Sequence, residues 1–321
     1  MRTARLVEPR RFEVVETDVP RPGAGEVLVR VRGCGVCASN LGPWGGIRGI
    51  EYPMDAGAPG HEVFGTVEEV GPEVAEGPPR GAAVTALSFH GFAEYDVARA
   101  EDTVVLPPGL ESAPVLGEPV ACAVNVRRRA GIREGDTVVV LGIGFLGALL
   151  VRLVRGDGPA RVVAVSRRDE GLEMARRMGA DEVLRYEDDV VARVEALTGG
   201  RLADVVIEAT GRPMPLELAA KLTRVRGRLV IAGYHQDGPR SVNLQLWNWR
   251  GLDVVNAHER DPAIYTQGMI EGVRLLETGA LDLRPLVSHV VSLDEIGRAF
   301  SLAEERPAGF FKAVVLPGGA P

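Results

Sequence analysis

The sequence predicts a two-domain α/β fold in which a β-rich lobe accompanies a doubly wound parallel sheet. Three observations carry this. The first 110 residues are short β-branched runs broken by Gly and Pro. From near residue 118, bare apolar strands alternate with helical patterns, as in a parallel sheet covered on both faces. One of those strands ends in Gly142-Ile-Gly144-Phe-Leu-Gly147 and runs straight into a helical segment.

In chain order, RFEVVETDVP, EVLVRVRGCGV and HEVFGTVEEVG are strand-like, and GFAEYDVARAEDTVVLPPGL continues the style. EPVACAVNVRRRAGI has helical apolar spacing with Gly131 at its end. TVVVLG (137–142) is a strand, FLGALLVRLVRG (145–156) a helix and RVVAVS (161–166) a strand. EGLEMARRMGA is helical, and DEVLR, ADVVIEAT (203–210), RLVIAG (228–233) and LDVVNA (252–257) are strands. A helical stretch then runs to about Thr278. RPLVSHVVSL, a helix around EIGRAFSLAEE and a last strand FFKAVVLP follow. This order places one β-rich domain at 1–119 and 258–321, with the nucleotide domain, 120–257, inserted between its two parts. No repeat or low-complexity tract interrupts it.

At 321 residues, 45% hydrophobic and 25% charged, the chain is long enough for two ordinary globular domains without disulfides. A formal charge of -7 argues against nucleic acid and anionic membrane surfaces as partners, since both reward a basic face. Lysine occurs only at Lys221 and Lys312, so any single arginine carries little information. Three cysteines, Cys34, Cys37 and Cys122, give no disulfide framework and suit a reducing compartment. The N-terminal residues contain no apolar run like a signal peptide, and no stretch approaches the roughly 20 apolar residues of a membrane span. The expectation is a soluble, cytoplasmic protein.

The glycine pattern has a physical reading. Gly142 permits the tight turn, Gly144 lets a pyrophosphate approach the backbone, and Gly147 lets helix and strand pack closely. The first turn of the helix, at Phe145 and Leu146, then offers N–H groups to the phosphates. At the end of the next strand, where a carboxylate would hold a ribose 2′-hydroxyl, the sequence has Ser166 followed by Arg167 and Arg168. A carboxylate repels a 2′-phosphate, whereas Ser and Arg accept it. The reading favours NADP(H) over NAD(H); the alternative is that both arginines merely cap a solvated helix start.

Cys37 in GCGVCASN, His61 and Glu62 in PGHEVFG, and Glu118 in GEPVACAVN supply a thiolate, an imidazole and carboxylates, a donor set that suits Zn²⁺. They lie far apart in sequence, and taken singly each is as readily a packed core residue.

In order along the chain, GCGVCASN, GHEVFGTVEEVG, GFAEYDV, GEPVACAVN, LGIGFLG and VVIEATG resemble the zinc-containing medium-chain dehydrogenases/reductases, nearer the sorbitol and glucose dehydrogenase branch, over about residues 1 to 316. The resemblance implies a GroES-like catalytic domain and a Rossmann domain. It implies that Cys37 and His61 ligate a catalytic zinc, that Glu62 is an outer partner or alternating ligand, and that Glu118 is a third ligand, direct or through water. It makes Ser39 the hydroxyl that passes the substrate proton outward and Cys34 a packed neighbour. Trp44 is implied as a substrate-pocket wall, with core packing as the alternative, and His90 as a second wall residue or a plain surface histidine. Glu208, Ala209, Thr210, Ala232 and Gly233 resemble the segments beside the nicotinamide, and Lys312 a basic residue near the cofactor. His235, His258 and His289 are assigned to structure.

The implied reaction interconverts a secondary alcohol (a polyol, sugar or cyclitol) and its ketone. Zinc acidifies the substrate oxygen, and a hydride passes to or from NAD(P). Asn40 departs from the family's usual Asp. The four-cysteine structural zinc lobe is missing between Gly81 and Gly91, so one zinc per chain is expected. Relatives associate through the edge strand that LDVVNA matches, with Trp247 and Trp249 just upstream, implying a homodimer or homotetramer. Two other readings compete: a zinc-free quinone or enoyl reductase of the same superfamily, and an inactive NADP-binding protein. The segment GYHQDGPRSVNLQLWNWRGLDVVNAHERD is unusual for sorbitol dehydrogenases.

Overall fold

The computed structural model describes residues 1–319; residues 320 and 321, the end of the expected second β-rich segment, lie outside the described ones. The chain divides into two compact units, Met1–Ala121 with Asp261–Pro321, and Cys122–Arg260.

The first unit opens with an antiparallel hairpin, β1 (Arg2–Glu8) and β2 (Arg11–Glu16). β3 (Glu26–Gly35) is the central strand, buried at Val27, Leu28 and Val29, alternating over Arg30, Val31 and Arg32, and buried again at its last three residues. A short helix, α1 (Leu41–Gly45), follows, then β4 (Glu62–Val70), β5 (Ala83–Ala86), β6 (Tyr95–Arg99) and β7 (Thr103–Val105). Helix α2 (Gly117–Ala130) contains the unit boundary. β3 pairs antiparallel with β4 in a register that sets Gly35 opposite Glu62 and Cys34 opposite Val63.

The second unit is a six-stranded parallel sheet. In chain order it holds β8 (Thr137–Leu141), α3 (Phe145–Arg155), β9 (Arg161–Ser166), α4 (Asp169–Met178), β10 (Glu182–Arg185), α5 (Val190–Leu197), β11 (Ala203–Glu208), α6 (Pro213–Leu222), β12 (Thr223–Ile231), α7 (Leu244–Arg250) and β13 (Asp253–Asn256). The strand order is β10-β9-β8-β11-β12-β13, all pairs parallel. Every residue of β8 is buried, so the central strand is covered on both faces, as its unbroken apolar run requires. α7 falls in the segment marked as unusual, where no element was expected. It starts because the Asn243 side chain accepts the Leu246 N–H, an N-cap that satisfies an otherwise orphaned donor.

The chain then returns to the first unit with α8 (Pro262–Glu277), β14 (Val287–Ser292), α9 (Ile296–Glu305) and β15 (Lys312–Leu316). β15 pairs antiparallel with β3, completing the order β14-β15-β3-β4-β5-β7 with β6 also on β3. The C-terminal strand therefore lies beside the end of β3 that leads to Cys37.

The core of this unit contains an aromatic cluster. Phe300 of α9 lies 4.8 Å from Phe12, 5.3 Å from Trp44 and 5.5 Å from Phe92, ring centroid to centroid. Trp44 stacks on Phe12 at 5.7 Å and is 3% exposed. This corrects the reading of Trp44 as a pocket wall: the indole faces Phe12 and Phe300, and its N–H points to Glu304 at 3.4 Å. Phe300 is fully buried, so Phe300→Ala leaves a large cavity and destabilises this unit by about 3–5 kcal/mol. Urea unfolding followed by Trp44 fluorescence in a background with Trp247→Phe and Trp249→Phe checks this; a loss under about 1 kcal/mol contradicts the assignment of this cluster as the core.

Candidate metal centre and dinucleotide cradle

Beyond β3 the chain makes a tight turn, Ala38–Asn40, with Cys37 just before it. Asn40 is buried and works at both ends of its amide. Its Oδ1 accepts the Cys37 N–H at 2.9 Å, and its Nδ2 donates to Pro59 O at 2.9 Å. A carboxylate has no proton for Pro59 O at neutral pH, so the local network explains why an amide rather than an aspartate stands here. Pro59 O lies 3.0 Å from His61 Nδ1 and takes that nitrogen's proton, leaving Nε2 as a lone-pair donor. Asn40 Nδ2 is also 3.3 Å from His61 Nδ1, but in this tautomer both atoms carry hydrogen and the contact is not a bond. Ser39 Oγ lies 3.5 Å from His61 Nε2.

Among the described residues, Cys37, His61 and Glu62 bring one donor atom each within 4.8 Å of one another. Glu62 begins β4 and is fully buried. A Cβ on Gly35, its register partner, would sit 1.9 Å from Glu62 Oε2, so glycine there leaves room for the carboxylate. Both carboxylate oxygens accept from Lys312 Nζ, at 2.7 and 2.9 Å, and the same ammonium donates to Val36 O at 3.2 Å. Burial opposes the charge on Lys312, but Glu62 and Cys37 outweigh it and raise its pKa. Lys312, expected as a basic residue near the cofactor, has its ammonium buried and bonded to Glu62.

Glu118, in the first turn of α2, is not in the three-residue group; its Oε1 accepts from Tyr265 Oη at 3.3 Å. It is still close enough to act on His61 by charge. Burial lowers the His61 pKa, yet Cys37, Glu118 and Glu62 together push it up to about 10. A thiolate, an imidazole and a carboxylate whose donor atoms lie within 4.8 Å of one another are zinc's own donor types, so the residues fit the metal. Cys34 differs: it is fully buried, and burial holds its thiol in the neutral form, pKa well above the usual value.

One further residue, missed in the sequence, stands beside His61, and His90 stands beside that residue in turn. The Phe89 ring lies 6.4 Å from the His61 ring at an interplanar angle of 15° and is 52% exposed. His90 meets Phe89 edge-on at 5.9 Å. The His90 N–H donates to Asp96 Oδ2 at 3.0 Å, and Asp96 is buried, which raises its carboxyl pKa. The signal for Phe89 in the sequence was its place in the short segment between β5 and GFAEY, where the cysteine lobe is missing.

In the other unit, Gly142 has φ of +92°, a left-handed conformation that favours glycine. A Cβ on Gly147 would meet Gly142 O at 1.9 Å, whereas one on Gly144, the N-cap of α3, meets nothing within 4 Å. The middle glycine therefore faces open space and the outer two shape the turn. Phe145 is buried and Leu146 half-buried in the first turn of α3. Ser166 is buried at the end of β9, its Oγ accepting the Arg168 N–H at 3.2 Å. The Arg168 guanidinium reaches Ile143 O in the glycine turn at 3.5 Å; burial lowers its pKa. Arg167 is exposed.

Glu208, expected in a segment beside the nicotinamide, has a fully buried carboxylate that serves the loop. It accepts the Thr210 N–H at 2.6 Å, the Thr210 hydroxyl and the Gly211 N–H at 3.1 Å. Its backbone oxygen accepts the N–H groups of Ala232 and Gly233, each at 2.8 Å. Arg240 Nε donates to His235 Nδ1 at 3.0 Å, so His235 Nε2 carries the proton and donates to Glu208 Oε2 at 3.1 Å. Ala209, Thr210, Ala232 and Gly233 are thereby fixed at the carboxyl ends of β11 and β12, where parallel sheets bind ligands.

Comparison with known proteins matches two family models in turn along the chain. A family described as "Alcohol dehydrogenase GroES-like domain" matches residues 23–108, and one described as "Zinc-binding dehydrogenase" matches residues 146–272. The chain is 30% identical to an L-threonine 3-dehydrogenase of Pyrococcus abyssi, over 92% of this chain and 93% of that one. It is 28% identical to a 2-dehydro-3-deoxy-L-galactonate 5-dehydrogenase of Pseudoalteromonas atlantica, over 98% of each. Among solved structures, a putative zinc-binding dehydrogenase from Sinorhizobium meliloti bound to NADP superposes with a TM-score of 0.83 at 26% identity, covering 98% of this chain and 99% of that one.

Proposed function

Since the chain belongs to the zinc-containing medium-chain dehydrogenase/reductase family, we propose that it interconverts a polar secondary alcohol and its ketone with a nicotinamide cofactor and one catalytic zinc. The observation that carries this is the convergence of Cys37, His61 and Glu62 on one point. When bound, zinc supplies Lewis acidity toward the substrate oxygen and the nicotinamide exchanges the hydride. Cys37 and His61 would hold the metal, His61 through the nitrogen left free by Pro59. Glu62, now held by Lys312, would be an alternating carboxylate ligand, and Glu118 would be the third ligand, directly or through water. The Ser39 hydroxyl, beside His61 Nε2, donates and accepts, and so moves the substrate proton outward. Both named relatives are dehydrogenases of polar substrates at an internal carbon. A zinc-free reductase has no need of this donor set. Asn40 satisfies its own neighbours, so its presence is no mark of lost catalysis.

The proposal includes one zinc per chain, because three cysteines cannot form a four-cysteine site. Cysteines without disulfides suit the cytoplasm, and no helix among the described residues is long and apolar enough to cross a membrane. β13 is an edge strand, and Trp249 in α7, just before it, is 86% exposed. We take this edge as the contact between copies in a homodimer or homotetramer.

The metal assignment predicts about one zinc per chain, with Cys37→Ala and His61→Ala losing both zinc and turnover while far-ultraviolet circular dichroism is retained. Two zincs, or full turnover after chelation, contradicts it. NADP(H) preference rests on Ser166 and the adjacent arginines. One charge-assisted bond to a 2′-phosphate, about 1.5–3 kcal/mol, gives roughly a tenfold or greater preference in kcat/KM. Ser166→Asp with Arg167→Ala should shift that ratio toward NAD(H); a natural preference for NAD(H) overturns the assignment. Light scattering at micromolar concentration should give a dimer or tetramer, and a monomer mass refutes the edge contact.

A further inference from the structure

The shared register of β3 and β4 is broken twice. Leu28 pairs with Glu69 and Val29 with Val67, which leaves Glu68 as an extra residue on β4. Val31 pairs with Gly65 and Gly33 with Phe64, which leaves Arg32 as an extra residue on β3. Bulges of this kind re-aim side chains. Beside them opens a groove of about 390 Å³, whose lining includes Arg30, Arg32, Arg80, Glu68 and Thr66. That volume falls within the roughly 300–1,000 Å³ of small-molecule sites.

Two of the three guanidiniums lie on aromatic rings. Arg30 is 5.9 Å from the centroid of the Tyr95 ring, and Arg32 is 6.0 Å from that of Phe64. Stacking of this kind lays the planar group on the ring and leaves its N–H edge for a ligand. Arg80 sits on the loop before β5, which is tied to β4 by the Gly81 N–H donating to Val67 O at 2.8 Å. Among the described residues, one carboxylate lines the groove: Glu68 lies 2.6 Å from Arg30 and 3.5 Å from Arg80. Arg32 has no carboxylate partner among the described residues. Three cations against one anion leave two positive charges unbalanced, in a chain whose formal charge is -7.

We propose that this groove is a binding site for the phosphate monoester of a small organic molecule, sharing no residue with the metal centre or the dinucleotide cradle. A phosphate monoester is close to a dianion at neutral pH, which matches the unbalanced charge. Arg32 and Arg80 take its oxygens in forked, charge-assisted bonds, while Arg30 stays with Glu68. The Thr66 hydroxyl supplies a further donor. A groove of this volume has room for more than a bare ion, and Val67 and Gly81 complete the lining around the organic part.

The test follows ³¹P line widths of glycerol 3-phosphate and, separately, orthophosphate on titration with the full-length, zinc-loaded protein at low, fixed salt. Glycerol 3-phosphate should bind, and more tightly than orthophosphate. The double variant Arg32→Gln with Arg80→Gln should weaken it about tenfold or more, because charge-assisted bonds are lost. Glu68→Gln should tighten it by removing the competing negative charge. Arg168→Gln should leave it unchanged, since that arginine belongs to the dinucleotide cradle. Circular dichroism verifies the fold of each variant. The proposal is overturned if the unmodified protein leaves the glycerol 3-phosphate line unbroadened, if the double variant binds as the unmodified protein does, or if Arg168→Gln abolishes binding. Orthophosphate binding as tightly as glycerol 3-phosphate also overturns it, by reducing the groove to a surface that exchanges inorganic anions.

Discussion

The buried Lys312–Glu62 pair is the interaction on which the metal centre depends. It joins the C-terminal strand β15 to β4 beside the end of β3, and Val36 O completes the ammonium's contacts. Burying two charges is costly, and such a pair is weak evidence of added stability, but removing one partner alone costs about 3–5 kcal/mol because the other is left uncompensated. The arrangement therefore persists as a unit. It needs glycine at position 35, where a Cβ would collide with the carboxylate, and it fixes Glu62 at the start of β4, directly after His61. Cys37 follows from the same strand end, two residues beyond Gly35.

Around this pair the donors are oriented by neutral groups rather than by charge. Pro59 O selects the His61 tautomer, and Asn40 ties the Cys37 backbone to the same carbonyl. Cys37, Glu118 and Glu62 act together on His61 against its burial and raise its pKa. The dinucleotide unit follows an analogous logic. Its cradle is made of backbone, and the buried Glu208 carboxylate, braced by His235, fixes the loops after β11 and β12 without itself facing a ligand.

What the sequence revealed was local. The glycine turn is legible because three positions in one short segment carry three distinct steric demands. β8 is legible because a short, unbroken apolar run bounded by turn residues suits a strand buried on both faces. Cys37, His61 and Glu62 are legible as donor types, but only the register of β3 with β4 brings them together. Residues whose partners are remote in sequence are the ones that mislead. Lys312 meets Glu62 from 250 positions away, and Trp44 finds Phe300 on a helix near the other end of the chain. Phe89 carries no motif at all; its meaning comes from facing His61. α7 escapes because its signal, a single Asn243 cap before an aromatic-rich stretch, lies in a segment with little apolar periodicity.

The central proposal is that one zinc binds at Cys37 and His61 with carboxylate from Glu62 or Glu118. Zinc K-edge X-ray absorption on the purified protein measures the ligand set directly. The account predicts one sulfur neighbour at about 2.3 Å, with the remaining neighbours nitrogen or oxygen at about 2.0–2.2 Å. Two or more sulfurs per zinc, or a zinc shell with no sulfur, would contradict it.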